Sequence, residues 1–431
     1  MTGLSTATPA MALRAGLKLG PAAVGGIWGV LLTLIPLYDY FLRPNYEGSS
    51  LYHSVNYVVP AIAFLSTATL MAAVGFSFVA AWVIGVDYRR QSFMAALAMT
   101  LVVLAALSGM TANAPVMPLV ILTLFLAYVM AVNFGALNHW EAAFQAFAAA
   151  AVVVFTLGDI LALTSRDVSW GRLGGHAGPN YWGMVSGAAL MLCLCLKPAW
   201  LRIPVILVAL LTLYETQARG SIVAATAGAA AMGAISLMRL PARHALLIAV
   251  VAAIAAVRVV IFGSDFISHK ILLLDDQYRG AASNGSGRLI GWAETINVIA
   301  AHPLFGVGLK QHEQYLHAVA NAHNAYLAAA AEQGLIGLTV YLALMVGASV
   351  RAVFKVFEQF TRQRIVLVGY LIYLLMLGLF EQVSYQTGNS FALIGMIAAA
   401  LSWRAEPRLP TGGDRLAPAS TGGRTARGPT P

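Results

Sequence analysis

Apolar runs of about 20 residues recur along almost the whole chain, parted by short polar connections. A helix rises about 1.5 Å per residue, so crossing the ~30 Å hydrocarbon core of a bilayer takes about 20 apolar residues. Runs at 22–41, 57–86, 92–111, 116–134, 142–163, 180–196, 201–216, 221–238, 245–263, 325–349, 365–383 and 389–403 meet that requirement closely enough to predict about twelve spans. The run at 57–86 exceeds one straight span, so its helix tilts or protrudes. The expected fold is therefore all-α, a polytopic transmembrane helix bundle of about 12 helices occupying residues 22–403.

One connection differs. Residues 264–322 form a long loop between the ninth and tenth runs, and loops of this length are functional or disordered. Leu289, Trp292, Ile296 and Ile299 recur at helical spacing and predict an amphipathic helix over 288–301. The preceding SNGSG supplies turn and capping residues, and His302-Pro303 ends the helix before a turn, LFGVGL. Residues 310–321 predict a second short helix, so two helices cap a cavity on the outer surface. Residues 1–21 read as a cytoplasmic N-terminus. Residues 404–431, rich in Pro, Gly, Thr and Arg, read as a disordered cytoplasmic tail.

Composition supports lipid as the solvent. The 431 residues are 59% hydrophobic and 10% charged, against about 25% charged in a soluble domain. The net charge of +9 reads as topology, not as nucleic-acid binding. With the N-terminus inside, cytoplasmic stretches before the tail hold twelve Lys and Arg, and the short outer loops hold four: Arg43, Arg166, Arg172 and Arg219. Both termini then face the cytoplasm, and the 264–322 loop faces the periplasm of a bacterial inner membrane. The first run lacks a small-residue cleavage site and reads as an uncleaved span. Cys193 and Cys195, two apart in an apolar run, do not share a helix face and read as packing residues.

That orientation gathers Arg172, Arg219, Arg288 and His323 at one membrane face. Arginine keeps its charge and offers a fork of donors that fits phosphate oxygens, so three of them suit a diphosphate. An imidazole can take a proton from an acceptor hydroxyl near neutral pH. Each residue also has an ordinary use: solvation for Arg172, snorkelling for Arg219, a pair with Glu294 for Arg288, a cap for His323. Asp275, Asp276, His302, His312, Glu313 and His317 crowd the long loop, but no pair has a strong metal-ligand spacing, and a solvated loop accounts for them. No metal or cofactor is expected.

These residues lie in stretches that resemble one family. RLGGHAGPNYWG at 172–183, TQARG at 216–220, GRLIGWAETINVIAAHPLFGVG at 287–308 and AHNAYLAAAAEQGLIGL at 322–338 resemble, in order and spacing, elements of the O-antigen ligase and polymerase superfamily. Ala218 stands where that superfamily's Ser/Thr-Arg-Gly element carries serine. The likeness covers roughly 155–345. It implies a metal-independent glycosyltransferase that takes an undecaprenyl-diphosphate-linked glycan as donor and, in the ligase, lipid A-core as acceptor. It implies diphosphate binding by Arg172, Arg219 and Arg288, with His323 as base, Arg288 also serving catalysis, and inversion at the anomeric carbon. Asn180, Tyr181 and Asn324 fall at supporting positions. The His-Asn helix favours the ligase over the sister polymerase, and the short tail favours it over a protein O-oligosaccharyltransferase. A transporter of anionic lipid is the non-enzymatic alternative, but the chain shows no internal repeat.

Overall fold

In the computed structural model the described residues are 20–42, 60–110, 117–165, 168–169, 171–174, 178–266, 268, 287–319, 321–385 and 389–406. They form thirteen α-helices: α1 (Pro21–Leu42), α2 (Pro60–Ile84), α3 (Ser92–Gly109), α4 (Met117–Ala136), α5 (Trp140–Ser165), α6 (Pro179–Leu192), α7 (Arg202–Thr216), α8 (Arg219–Leu237), α9 (Ala242–Phe266), α10 (Arg288–Ala301), α11 (Ala325–Glu358), α12 (Arg362–Leu377) and α13 (Ser390–Trp403). Each of the twelve apolar runs holds one of these helices, and α10 is the helix predicted in the long loop. Among the described residues, seven helices are long and apolar enough to cross a membrane, by length and composition. The chain is thus an all-α, multi-pass membrane bundle.

Local chemistry sets the helix starts. Proline occupies the first position of α6, where its missing N–H is not needed. Asn324, Thr361 and Asn389 cap α11, α12 and α13 by accepting from backbone N–H groups one turn on. The expected 365–383 span stops at Leu377, and a turn with a 3-10 segment at Gln382–Ser384 follows.

α13 is buried on every side and forms the centre, with α4, α11 and α12 against it. α1 packs along α5, and α8 along α12. Trp28 shows how the core meets polar demand inside lipid, since its indole N–H donates to the Ala73 carbonyl at 3.0 Å. Large side chains such as Val153, Leu157, Leu207 and Leu210 face outward, which explains how so few charges clothe the protein.

The bundle has two polar ends. At one, Lys355 and Arg364 share Glu406 at 3.4 and 3.2 Å, and Arg404 is buried against the carbonyls of Gly135 and Leu137. The first residues of the expected tail, 404–406, are therefore docked, and 407–431 lie outside the described residues. The N-terminal residues 1–19 and the loop residues 269–286 also lie outside them. The other polar end holds the starts of α6, α8, α10 and α11 together with the turn after α12.

The second loop helix expected at 310–321 is replaced by a single 3-10 turn, His312–Tyr315. Side-chain demands break it: His312 is drawn into the core, and the Glu294 carboxylate takes the N–H groups of His317 and Ala318. The connection before α6 contains a two-residue antiparallel pair, Val168–Ser169 with Arg172–Leu173.

Candidate functional site

Glu381, in the turn after α12, is the hub of the second polar end. Its Oε1 accepts from Arg288 Nη2 at 2.8 Å and from Asn180 Nδ2 at 2.8 Å. Its Oε2 lies 3.1 Å from His323 Nδ1. Asn180 passes the chain outward, accepting from Arg172 Nη2 at 3.1 Å. Arg172 also donates from Nε to the Thr216 carbonyl at 2.7 Å, at the end of α7. Five side chains from five separated segments are thereby linked: Arg172, Asn180, Arg288, His323 and Glu381.

Arg219 sits beside this chain as the first residue of α8. The next residue, Gly220, lies against Phe380, where a Cβ would come within 2.7 Å of the phenyl side chain, so α8 begins directly behind Glu381. Arg288 is paired with Glu381 rather than with Glu294, the partner considered from sequence. Tyr181 packs edge-on against Trp182 and Phe391, at the edge of the core.

Asn324 has a structural duty. Its Oδ1 caps α11, and its Nδ2 donates to the Leu379 carbonyl at 3.3 Å. The N–H of Ala325 donates to the Gly378 carbonyl at 2.7 Å. Together they tie the turn that carries Glu381 to the start of α11, beside His323. His323 and Gln217 both adopt left-handed φ, 45° and 47°, which side-chain-bearing residues rarely do. Both lie on segments that touch the cluster, and strained backbone of this kind concentrates at functional sites.

Exposure matters for the chemistry. The Glu381 side chain is 12% exposed, Arg288 21% and His323 32%. The carboxylate is sunk while the cation and imidazole remain reachable. A carboxylate is acceptor-only when ionised, so with Arg288 and Asn180 as donors it also accepts the Nδ1 proton of His323. In the tautomer with its proton on Nδ1, Nε2 is the acceptor nitrogen of His323.

A second buried network underlies the hub. His312 Nδ1 lies 2.7 Å from Glu332 Oε1, and both side chains are almost fully buried. This corrects the reading of His312 as part of a solvated loop. Glu332 lies where α11 kinks at Gly334, with φ 71°. The kink releases backbone groups that the HPLFGVG turn recaptures: Val307 and Gly308 donate to the Ala331 and Glu332 carbonyls, and Leu335 donates to the Pro303 carbonyl. A side chain at Gly334 would collide with the Leu304 backbone. Tyr385 is buried beside Glu332, and burial first, then that carboxylate, pushes its phenol well above the ordinary tyrosine range. Gln382 donates to Glu313 Oε1 at 2.8 Å. Residues 303–313, the kink and the Glu381 turn are therefore tied together.

Glu381 and Glu332 were not singled out from sequence as site residues. Glu381 lay inside a run assigned to a span, where an ionisable residue is itself a signal. Among the described residues, no group of three or more His, Cys, Asp or Glu could hold a metal ion. Asp275 and Asp276 lie outside the described residues.

A half-open apolar groove of about 560 Å³ runs between α6, α7 and α8, lined by Leu190, Leu194, Leu210, Tyr214, Ala229 and Met232. Gln217, whose carbonyl accepts from Arg172 at 3.3 Å, also lines it.

Residues 204–342 match the model of a protein family described as O-antigen ligase. The match contains Arg219, Arg288 and His323 and supports the resemblance to the O-antigen ligase superfamily. Arg172, Asn180 and Glu381 fall outside it. No curated protein matches the chain.

Proposed function

We propose that this membrane protein is an O-antigen ligase that moves a glycan from undecaprenyl diphosphate to a sugar hydroxyl of lipid A-core, in one inverting step and without a metal. The observation that carries the reading is the Glu381 hub, which holds Arg288 and His323 side by side and reaches Arg172 through Asn180.

The chemistry follows from the donor set. The anomeric carbon loses its bond to the diphosphate oxygen as the acceptor oxygen bonds to it from the opposite face. The transition state is oxocarbenium-like, and negative charge grows on the departing diphosphate. The guanidinium groups of Arg172 and Arg288, held by their hydrogen bonds, and Arg219 at the start of α8 are suited to stabilise that charge. His323 Nε2 receives the acceptor hydroxyl proton, and Glu381 stabilises the resulting imidazolium through Nδ1. Direct displacement needs no carboxylate nucleophile. Arg288 meets Glu381 here, and an incoming phosphate would share or take over that guanidinium. The groove between α6, α7 and α8 suits the donor's hydrocarbon chain, because its end at Gln217 adjoins Arg172.

In this reading the site faces the periplasm and both termini face the cytoplasm, as the Lys and Arg distribution favours. The test is reconstitution in liposomes with purified lipid-linked glycan and two acceptors, lipid A-core and a second lipid-linked glycan, in chelator-treated buffer. Glycosylated lipid A-core with inverted configuration is the expected product. Elongation of the lipid-linked glycan instead would make the protein a polymerase, and consumption of neither acceptor would remove the enzymatic reading.

A further inference from the structure

The helix predicted from the long loop turns Leu289 and Ile296 away from the bundle, while Ile299 packs inward. Gly291, Thr295 and Val298 form the buried side of α10, packed toward α11 and the turn at Val307. Leu289 and Ile296 are 54% and 53% exposed. With Ala293 and Ala300, also exposed, they form one stripe at i, i+4, i+7 and i+11. No charge interrupts the stripe, and Glu294 is turned aside to the N–H groups of His317 and Ala318. A helix facing water carries polar residues on that side.

The stripe does not end with the helix. Leu304 and Phe305 are exposed just beyond it, and Leu335 and Ile336 of α11 are exposed next to them. The Leu335 N–H donates to the Pro303 carbonyl at 2.8 Å, so these patches adjoin. α11 is one of the helices able to cross a membrane. The apolar stripe therefore runs into the outward side of a membrane-crossing helix.

Helix length fixes where they meet. α11 has 34 residues in two helical pieces on either side of Gly334, and the piece from Leu335 to Glu358 alone rises about 36 Å, more than the ~30 Å hydrocarbon core. Arg351 lies near the end away from His323, stacked over Trp403, and marks that boundary of the core. Counted from Arg351 toward His323, the straight piece ends at Leu335, about 17 residues and roughly 25 Å on, beside the kink. The turn bearing Leu304 and Phe305 docks at that kink, at the other boundary.

We propose that α10 and the 303–305 turn lie in the lipid–water interface with this stripe buried in the membrane's lipid. The partner is the lipid surface on the side of the Glu381 hub. Arg288, at the start of α10, would then sit at headgroup level, where a lipid-borne anion can reach it by lateral diffusion. The proposal rests on the membrane reading of the bundle and not on its chemistry.

Spin labels on the full chain in phosphatidylethanolamine–phosphatidylglycerol nanodiscs test it. Leu289→Cys, Ile296→Cys and Phe305→Cys are made singly, with Cys193→Ala and Cys195→Ala. Val153→Cys, outward on α5, is the lipid reference, and the exposed Gln314→Cys is the water reference. The oxygen-to-nickel-chelate accessibility ratio at 289, 296 and 305 is expected several-fold above that at 314, approaching that at 153. Ratios equal to that at 314 overturn the proposal. Shielding from both reagents, or spin–spin coupling between copies, would show protein on this face and overturn it equally. A water-like signal at 153 would instead refute the membrane reading itself.

Discussion

Glu381→Gln is the most informative single change, because the shape of the site is retained and one hydrogen-bond polarity is reversed. Three donors meet the carboxylate: Arg288 and Asn180 at Oε1, and His323 at Oε2. A glutamine keeps one acceptor oxygen. Two donors hold that oxygen in the Oε1 place, so its NH2 faces His323 Nδ1. The imidazole must then carry its proton on Nε2, and the nitrogen meant to act as base is blocked. General-base catalysis contributes about 10²–10⁴-fold, so kcat for glycan transfer should fall by about that factor. Arg288 and Asn180 keep a neutral acceptor, so KM for the lipid-linked donor should change little. Initial rates in liposomes with purified donor and lipid A-core read both constants. A variant that keeps kcat near the wild-type value would refute the His323–Glu381 pairing as part of the chemistry, and a large rise in KM alone would recast Glu381 as a donor-binding residue.

Other outcomes follow from the same geometry. Arg288→Lys replaces a fork by a point charge, and loss of a charge-assisted hydrogen bond worth about 1.5–3 kcal/mol should cut kcat/KM by roughly 10- to 100-fold; unchanged kinetics would contradict its phosphate role. Glu332→Ala leaves the buried His312 Nδ1 without its partner and should destabilise the protein by about 1–3 kcal/mol, read as a lower unfolding temperature in detergent, with Glu332→Gln milder because it keeps an acceptor. Gly334→Ala puts a side chain into the Leu304 backbone at a left-handed φ, so it should cost more than about 1 kcal/mol and detach the turn, measured as faster proteolysis at 303–308. His323→Ala should abolish transfer while the protein still inserts, and full activity would remove the assigned base.

Much of the fold was legible because hydropathy reports the solvent directly. Each predicted apolar run contains a helix, and α10 begins at Arg288 and ends at Ala301, where His302-Pro303 forbids its continuation. Periodicity could not say which side of α10 meets protein. In a membrane protein an apolar stripe can face lipid as well as core, so the spacing of Leu289 and Ile296 gave the helix but not their outward facing. Arg172, Arg219, Arg288 and His323 were chosen because the expected orientation puts them at one membrane face and they fall in the stretches that resemble the family, and the structure links Arg172, Arg288 and His323 through Asn180 and Glu381. What joins them was hidden. Glu381 is one carboxylate at the end of an apolar run, and its meaning depends on contacts with residues 201, 93 and 58 positions away. His312 and Glu332 were hidden for a similar reason, since a loop histidine looks solvated until the kink at Gly334 draws the loop inward.

The central claim is that the arginines of this end of the bundle bind a lipid's diphosphate. Calorimetric titration of the purified protein with undecaprenyl diphosphate, and with undecaprenol as the uncharged control, tests it most directly. The account predicts that the diphosphate binds far more tightly than the alcohol, and that combining Arg172→Gln, Arg219→Gln and Arg288→Gln removes the difference. Equal affinity for the two lipids in the wild-type protein would contradict it.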